Sequence, residues 1–382
     1  MPDRSFLSWP FFEARHRELA DELQTWCSDN CSSRFADDLD SECRMLVREL
    51  GAAGFLKLAV ARGDSRPDVR SLAIARETLA YHSPLADFAF ATQGLGSGAI
   101  SLFGTVEQKR EWLPKVASGS AIAAFAMTEP QCGSDAANMQ TSAMRDGNEW
   151  VLVGEKTLIS NGGIADFYLT FARTGEGEGS RGLSAFIVPA DLVTVAERID
   201  VIAPHPLARL TYDNVRIPAD AIVGEGGEGF RIGMETLNLF RVTVGASALG
   251  FARRALDEAL SFATKRRHGS GTLADNSVTQ AKLADMALAI DASALLIYRA
   301  AWQQDEGGVD NRRAAAMAKL NATEAAQRVI DSAVQIHGGA GVTRGVKVEE
   351  LYRDIRALRI YEGASEVQRQ IIARDLLKGV QE

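Results

Sequence analysis

Scarcity narrows this chain before any motif does. Its four cysteines, Cys27, Cys31, Cys43 and Cys132, have no histidine or further cysteine beside them at a zinc-like spacing. No metal site is expected, and the thiols read as reduced and partly buried. Clustered Lys and Arg are missing and the formal net charge is −8, which argues against nucleic acid as a partner. The opening Met1-Pro2-Asp3-Arg4-Ser5-Phe6-Leu7-Ser8-Trp9 has no apolar signal core, and no segment is long and apolar enough to cross a membrane. A cytoplasmic location with no membrane partner is therefore expected. No internal repeat recurs at periods of roughly 20 to 50 residues.

What is present is ordinary for a globular chain. Hydrophobic residues make up 46% and charged residues 24% of 382, enough for two or three substructures around a large core. Residues 1–120 read as an N-terminal helical domain. Phe12, His16, Leu19 and Leu23 share one face, Leu46, Leu50 and Phe55 follow, and after a linker at Gly63-Asp64-Ser65-Arg66-Pro67 come Leu72, Ile74, Leu79, Ile100, Leu102 and Phe103. A further amphipathic turn with Gln108, Trp112 and Leu113 should stop at Pro114 and Gly119.

From about Ala121 the pattern changes to short strand-like runs: Glu149 to Thr157, Phe167 to Ala172, Ser184 to Val188 and Arg209 to Val215, separated by glycine, proline and asparagine turns. Residues 121–225 are expected to form a small β-barrel or sandwich. Helical periodicity returns over 226–382, with segments at 230–265, 277–304 and 312–336, and is expected to build a C-terminal four-helix bundle. The class is mainly α with a central β unit. Gly224-Glu225-Gly226-Gly227-Glu228-Gly229 formally satisfies G-x-G-x-x-G, but it closes no parallel βαβ unit, and Glu225 and Glu228 would face the phosphate. It reads as a turn feeding a helix.

Near the C-terminus, Val348, Leu351, Ile355 and Leu358 lay an apolar stripe along a helix that should fade near Ile360. Ser365-x-x-Gln368 has the form of a capping box, and Val367, Ile371 and Leu376 would carry the next buried stripe. Glu362 then falls in the turn between two helices, beside Gly363, which is free to adopt a conformation that a side chain disfavours.

Four stretches in this order resemble the acyl-CoA dehydrogenase family over nearly the whole chain. They are Met127-Thr128-Glu129-Pro130-Gln131-Cys132-Gly133-Ser134-Asp135, Ile159-Ser160-Asn161-Gly162-Gly163, Gln335-Ile336-His337-Gly338-Gly339-Ala340-Gly341, and Arg353-Asp354 with Ile360-Tyr361-Glu362-Gly363 through Gln368-Arg369. The resemblance implies an FAD-dependent enzyme that converts an acyl-CoA thioester to the trans-2-enoyl-CoA, with Glu362 abstracting the α-proton and the flavin accepting the β-hydride. It implies flavin contacts at Phe125, Met127, Thr128, Gly133, Ser134, Leu158, Ser160, Arg266, Gln335, Gly338 and Gly339. It implies substrate contacts at Ser134, Asn238, Arg241, Tyr361 and Gly363. His337 is expected to pack or bond locally. A homo-oligomer, dimer or tetramer, and an electron-transferring flavoprotein as acceptor are implied in the same way.

Some positions depart from the family pattern. Leu158 stands where tryptophan is frequent, Gly269 where phenylalanine is usual, Ser277 for a common glutamine and Ala364 for a threonine. These changes remove stacking area and polar contacts, so weaker flavin binding or altered redox behaviour is expected. Asp87 stands near where enzymes for dicarboxylyl thioesters place an arginine, which disfavours a glutaryl-type substrate. The alternatives are a dehydrogenase or flavin oxidase on the same fold, the former linked to an acyl carrier protein, and a non-catalytic assembly partner with a degraded flavin site.

Overall fold

The run Phe167-Tyr168-Leu169-Thr170-Phe171-Ala172 is apolar almost throughout because both of its faces are covered. Phe167, Leu169 and Phe171 point into a core shared with Ile100, Leu113, Val116 and Ile232. Tyr168 and Ala172 point the other way, toward Ala143, Leu152, Phe186, Leu210 and Tyr212. A strand alternates its side chains, so two buried faces make a continuous apolar run.

The computed structural model describes residues 3–31, 38–60, 67–307 and 310–378; the expected linker residues Gly63 to Arg66 lie outside them. Among the described residues one sheet has eight strands. These are β1 (Ala123–Ala126), β2 (Ser142–Asp146), β3 (Glu149–Ser160), β4 (Phe167–Arg173), β5 (Leu183–Pro189), β6 (Thr194–Arg198), β7 (Leu207–Pro218) and β8 (Ile222–Val223). The order is β6-β7-β3-β2-β4-β5-β8, with β1 paired in parallel to β4. Strands β3, β4, β5 and β7 are the four runs read from sequence. β1 is mostly alanine and β6 is exposed along its whole length, so neither carries the apolar alternation that marks a half-buried strand.

The helices are α1 (Ala14–Asn30), α2 (Leu39–Ala52), α3 (Val69–His82), α4 (Pro84–Phe103), α5 (Val106–Ala117), α6 (Gly229–Lys265), α7 (Ser277–Glu306), α8 (Arg312–His337), α9 (Lys347–Leu358) and α10 (Ser365–Lys378). A short hairpin, β9 (Arg267–His268) and β10 (Gly271–Thr272), follows α6. Two compact units divide these elements. One comprises Phe35–Pro67 and Phe88–Phe240, so the sheet is grouped with α2, α5 and most of α4. The other comprises Met1–Arg34, Asp68–Asp87 and Arg241–Glu382.

In the sheet unit α5 does not stop at Pro114 but runs to Ala117. A reciprocal cap between Thr105 and Gln108 starts it, and the buried Leu113 and Val116 hold its last turn, which offsets the one backbone donor that proline lacks. The Gln108 amide also donates to the carbonyls of Asp220 and Ile222, at 2.8 Å each, tying α5 to β8. The glycine-rich turn between β8 and α6 is explained by conformation and packing. Gly224 and Gly227 have φ of 70° and 81°, and a Cβ on Gly229 would lie 2.5 Å from the Ser184 backbone.

In the second unit α8 packs against α7, α9 and α10 through small side chains, among them the buried Ala315, Ala318, Ala322, Ala325 and Ala326. The stripe Val348, Leu351, Ile355 and Leu358 is buried as the spacing requires. The stripe expected on α10 is not. Val367 and Ile371 are half-buried and Leu376 is exposed, because α8 is the main helix against which α10 packs.

Candidate active site

The turn carrying Glu362 is held by backbone bonds at both ends. Tyr361 N donates to Ala357 O at 3.1 Å as α9 ends, and Ser365 N reaches back to Arg359 O at 3.1 Å. Between them Glu362 itself has φ 51° and Gly363 φ 91°. The sequence reading assigned positive φ to the glycine alone. A glutamate in this region is uncommon and marks a position that its surroundings must hold in place.

Those surroundings include Lys319 of α8, whose Nζ donates to Tyr361 O at 3.2 Å and to Gly363 O at 2.8 Å. Gln368 Nε2 also donates to Gly363 O, at 2.8 Å. The expected capping box is not formed. Ala364 O accepts from Gln368 N, so Ser365 is already inside the helix, and its hydroxyl donates to Glu324 Oε1 at 2.6 Å.

Burial raises the Glu362 carboxyl above the ordinary glutamate range, while Arg76, Lys319 and Arg241 pull it back down and Asp87 adds to the rise. Its Oε2 is buried with no hydrogen-bond partner among the described residues. Arg76 of α3 is gripped by Asp87 through two 2.9 Å bonds, and Ser247 Oγ donates to Asp87 Oδ2 at 2.6 Å. Arg241 is buried on α6; desolvation lowers its pKa and the Glu362 charge opposes that. Tyr361, Glu362 and Gly363 share this turn, and the Arg241 charge acts on the Glu362 carboxyl. Arg76 and Lys319 are additions that the sequence reading missed.

In the sheet unit the first expected stretch is anchored by a buried ion pair. Lys156 Nζ lies 2.8 Å from Glu129 Oε1 and donates to Met127 O at 3.1 Å. The two Glu129 oxygens also accept from the amides of Gln140 at 2.6 Å and Thr141 at 2.9 Å. Burial pushes the Glu129 carboxyl up, but Lys156 and these donors outweigh it and hold it below the usual value. Thr157 N donates to Thr128 O at 2.9 Å, which joins Met127 and Thr128 to the strand of Leu158 and Ser160. Phe125 lies in β1 against Phe171, ring centroids 4.9 Å apart. Leu158 is 54% exposed at φ 55°, on a bulge of β3. Gly133 and Ser134 are exposed. Asn238 is half-buried on α6.

The remaining expected cofactor positions lie in the helical unit. His337 Nδ1 bonds Ala333 O at 2.8 Å and its ring stacks on Phe262 at 4.3 Å, so it is engaged locally. That stack joins the ends of α6 and α8, from which the exposed Arg266 and the exposed Gly338 and Gly339 follow; Gln335 is exposed on α8. Gly338 has φ 59°, and a Cβ on Gly133, Gly338 or Gly339 would meet nothing within 4 Å. Open glycine backbone and an exposed guanidinium suit an anionic group such as a diphosphate. Gly269 has φ 60° in the hairpin turn, which accounts for glycine there. Ser277 is exposed at the start of α7, and Ala364 is half-buried. Among the described residues no group of three His, Cys, Asp or Glu side chains could hold a metal ion.

Comparison with known proteins gives the same three-part order. Residues 13–120 match the N-terminal domain of acyl-CoA dehydrogenases, 124–215 the middle domain and 227–377 the C-terminal domain. An acyl-CoA dehydrogenase of Bacillus subtilis strain 168 is 37% identical over 341 residues, 87% of this chain and 90% of that protein. The butyryl-CoA dehydrogenase of Megasphaera elsdenii superposes with a TM-score of 0.90 at 31% identity, covering 96% of this chain and 99% of that one. A glutaryl-CoA dehydrogenase of Mycobacterium smegmatis, solved in complex with FADH2, superposes at 0.86 with 28% identity, covering 96% and 95%. Fold and site thus define an oxidoreductase of the acyl-thioester class. The chain belongs to the acyl-CoA dehydrogenase family.

Proposed function

We propose that this enzyme dehydrogenates an acyl-CoA thioester between its α and β carbons, with Glu362 as the base. The observation that carries the reading is the Glu362 turn: a carboxylate in a strained backbone conformation, with a buried oxygen left unbonded and a pKa raised by burial. A base poised upward in this way removes the weakly acidic proton next to a thioester carbonyl more effectively than a solvated glutamate. Arg76, Lys319 and Arg241 oppose the rise and so favour the carboxylate form that a base requires.

The cofactor is FAD, which when bound supplies the acceptor for the β-hydrogen and its electron pair. Phe125, Met127, Thr128, Gly133, Ser134, Leu158 and Ser160 would contact it, and Arg266, Gln335, Gly338 and Gly339 would reach the diphosphate of a neighbouring subunit's cofactor, the two glycines through open backbone. Ser134, Asn238, Arg241, Tyr361 and Gly363 would contact the thioester and its coenzyme arm. The product is the trans-2-enoyl thioester. Arg76 is already paired with Asp87, which supports the reading that a glutaryl-type substrate is disfavoured.

The division into 1–120, 121–225 and 226–382 stands as a proposal about domains. Self-association is supported by Leu288, Leu295 and Trp302, seven residues apart along α7 and 70%, 45% and 37% exposed; a second copy of the chain would cover them. An electron-transferring flavoprotein is the proposed acceptor, in the cytoplasm. Among the described residues no helix is long and apolar enough to cross a membrane. Turnover of a panel of straight, branched and dicarboxylyl acyl-CoAs with an artificial electron acceptor tests the reading. Activity confined to carrier-protein thioesters, or hydrogen peroxide released in air, would replace it with one of the alternatives.

A further inference from the structure

Lys319 is fully buried on a helix face otherwise made of alanine and threonine, with Ala315, Ala318, Ala322 and Thr323 around it. Apolar packing gives no reason for an ammonium there, and burying one is costly without compensation. No carboxylate lies in contact with it among the described ion pairs. Its hydrogen bonds run to two neutral carbonyls, Tyr361 O and Gly363 O, which bracket Glu362 in sequence. The largest compensation in charge comes from Glu362 itself, ahead of Glu324 and Glu366.

We propose that Lys319 is the positioning residue of the base: its ammonium clamps the carbonyls on either side of Glu362 and so holds the left-handed turn that leaves Oε2 unbonded. This rests on Glu362 being the base. Tyr361 O lies in the peptide plane before Glu362 and Gly363 O in the plane after Gly363, so holding both planes constrains the combined turn of the Glu362-Gly363 pair, whose φ angles are 51° and 91°. A glutamate at φ 51° has an alternative at negative φ of lower intrinsic energy. Without the clamp the turn relaxes toward it and the carboxylate leaves its position. Gln368, which bonds Gly363 O alone, fixes only one of the two planes.

The clamp also sets charge. Arg76 of α3, Arg241 of α6, Asp87 at the start of α4 and the Tyr361 hydroxyl act on the same carboxylate, and Glu324 of α8 and Glu366 of α10 act on Lys319. Removing the Lys319 charge leaves Arg76 and Arg241 as the cations and moves the Glu362 ionisation upward.

The test uses holoenzyme purified with its FAD, as wild type, Lys319→Met, Lys319→Arg and Glu362→Gln. Turnover with an acyl-CoA substrate is measured across pH. Exchange of the α-proton for solvent deuterium is followed on an acyl-CoA carrying sulfur in place of the β-carbon, which can lose the α-proton but has no β-hydrogen to give. In exchange the Cα–H bond breaks to Glu362, and the carbon is re-protonated by a deuteron from the same carboxyl. Lys319→Met is expected to lower kcat and the exchange rate by about a hundredfold, the effect of a misplacement near 1 Å, with KM and FAD content little changed. The acid limb should move to higher pH, and Lys319→Arg should recover part of the loss. If Lys319→Met loses FAD, Lys319→Gln, which keeps a donor without the charge, takes its place with the same expectation for the acid limb. Wild-type exchange, kcat and acid limb in the Lys319 variants, with Glu362→Gln inactive, would overturn the clamp and leave the base in place. Exchange that survives Glu362→Gln would overturn the base reading.

Discussion

Lys156 Nζ and Glu129 Oε1 lie 2.8 Å apart with both side chains buried, and the lysine also donates to Met127 O. Removing one partner strands the other as a buried charge, so Lys156→Met or Glu129→Gln should lower stability by about 3 to 5 kcal/mol. Chemical unfolding of the holoenzyme measures this. Replacing both partners at once should cost less than the sum of the single changes. FAD should dissociate more readily from each single variant, because the pair fixes the backbone at Met127.

The raised Glu362 pKa fixes the sign of a pH effect. Catalysis needs the carboxylate, so the acid limb of kcat/KM should lie above the ordinary glutamate value and move higher when Arg76 is replaced by Gln. Stability runs the other way. A group whose folded pKa is raised contributes stability fully present below its unfolded value and lost as pH rises through the folded one. Glu362→Gln should therefore flatten the part of the stability profile just above the unfolded glutamate pKa.

Gly363→Ala meets two obstacles: φ 91°, and a Cβ that would lie 2.5 Å from Gln368 Nε2. The side-chain end can move, so backbone strain dominates, at about 1 to 3 kcal/mol. Unfolding should report that loss, and kcat should fall with it because the strain is relieved by moving Glu362.

Leu288→Glu places a charge in the exposed stripe of α7. If a second copy covers that stripe, sedimentation should show a smaller species than wild type at equal concentration. An unchanged mass would remove α7 from the interface.

The helical segments and the four long strands were legible because each repeats its burial pattern over several residues. The stripe from Val348 to Leu358 needed nothing else. Alanine-rich β1 and polar β6 were not legible, since tertiary pairing rather than their own composition makes them strands. At the site, Glu362 and Gly363 could be located through a motif. Lys319 could not, although its signal was there: one lysine on a helix face of alanines. Arg76 is hidden in the same way within the buried face of α3. Ser365 misled because a capping pattern does not say which residue starts the helix, and Glu324 takes its hydroxyl. Pro114 misled because one missing donor near a helix end is outweighed by two buried side chains.

The central claim is that Glu362 is the base. Holoenzyme mixed anaerobically with a substrate acyl-CoA should lose its oxidised-flavin absorbance, and Glu362→Gln, with FAD still bound, should keep it. Bleaching of the Glu362→Gln flavin at the wild-type rate would contradict the account.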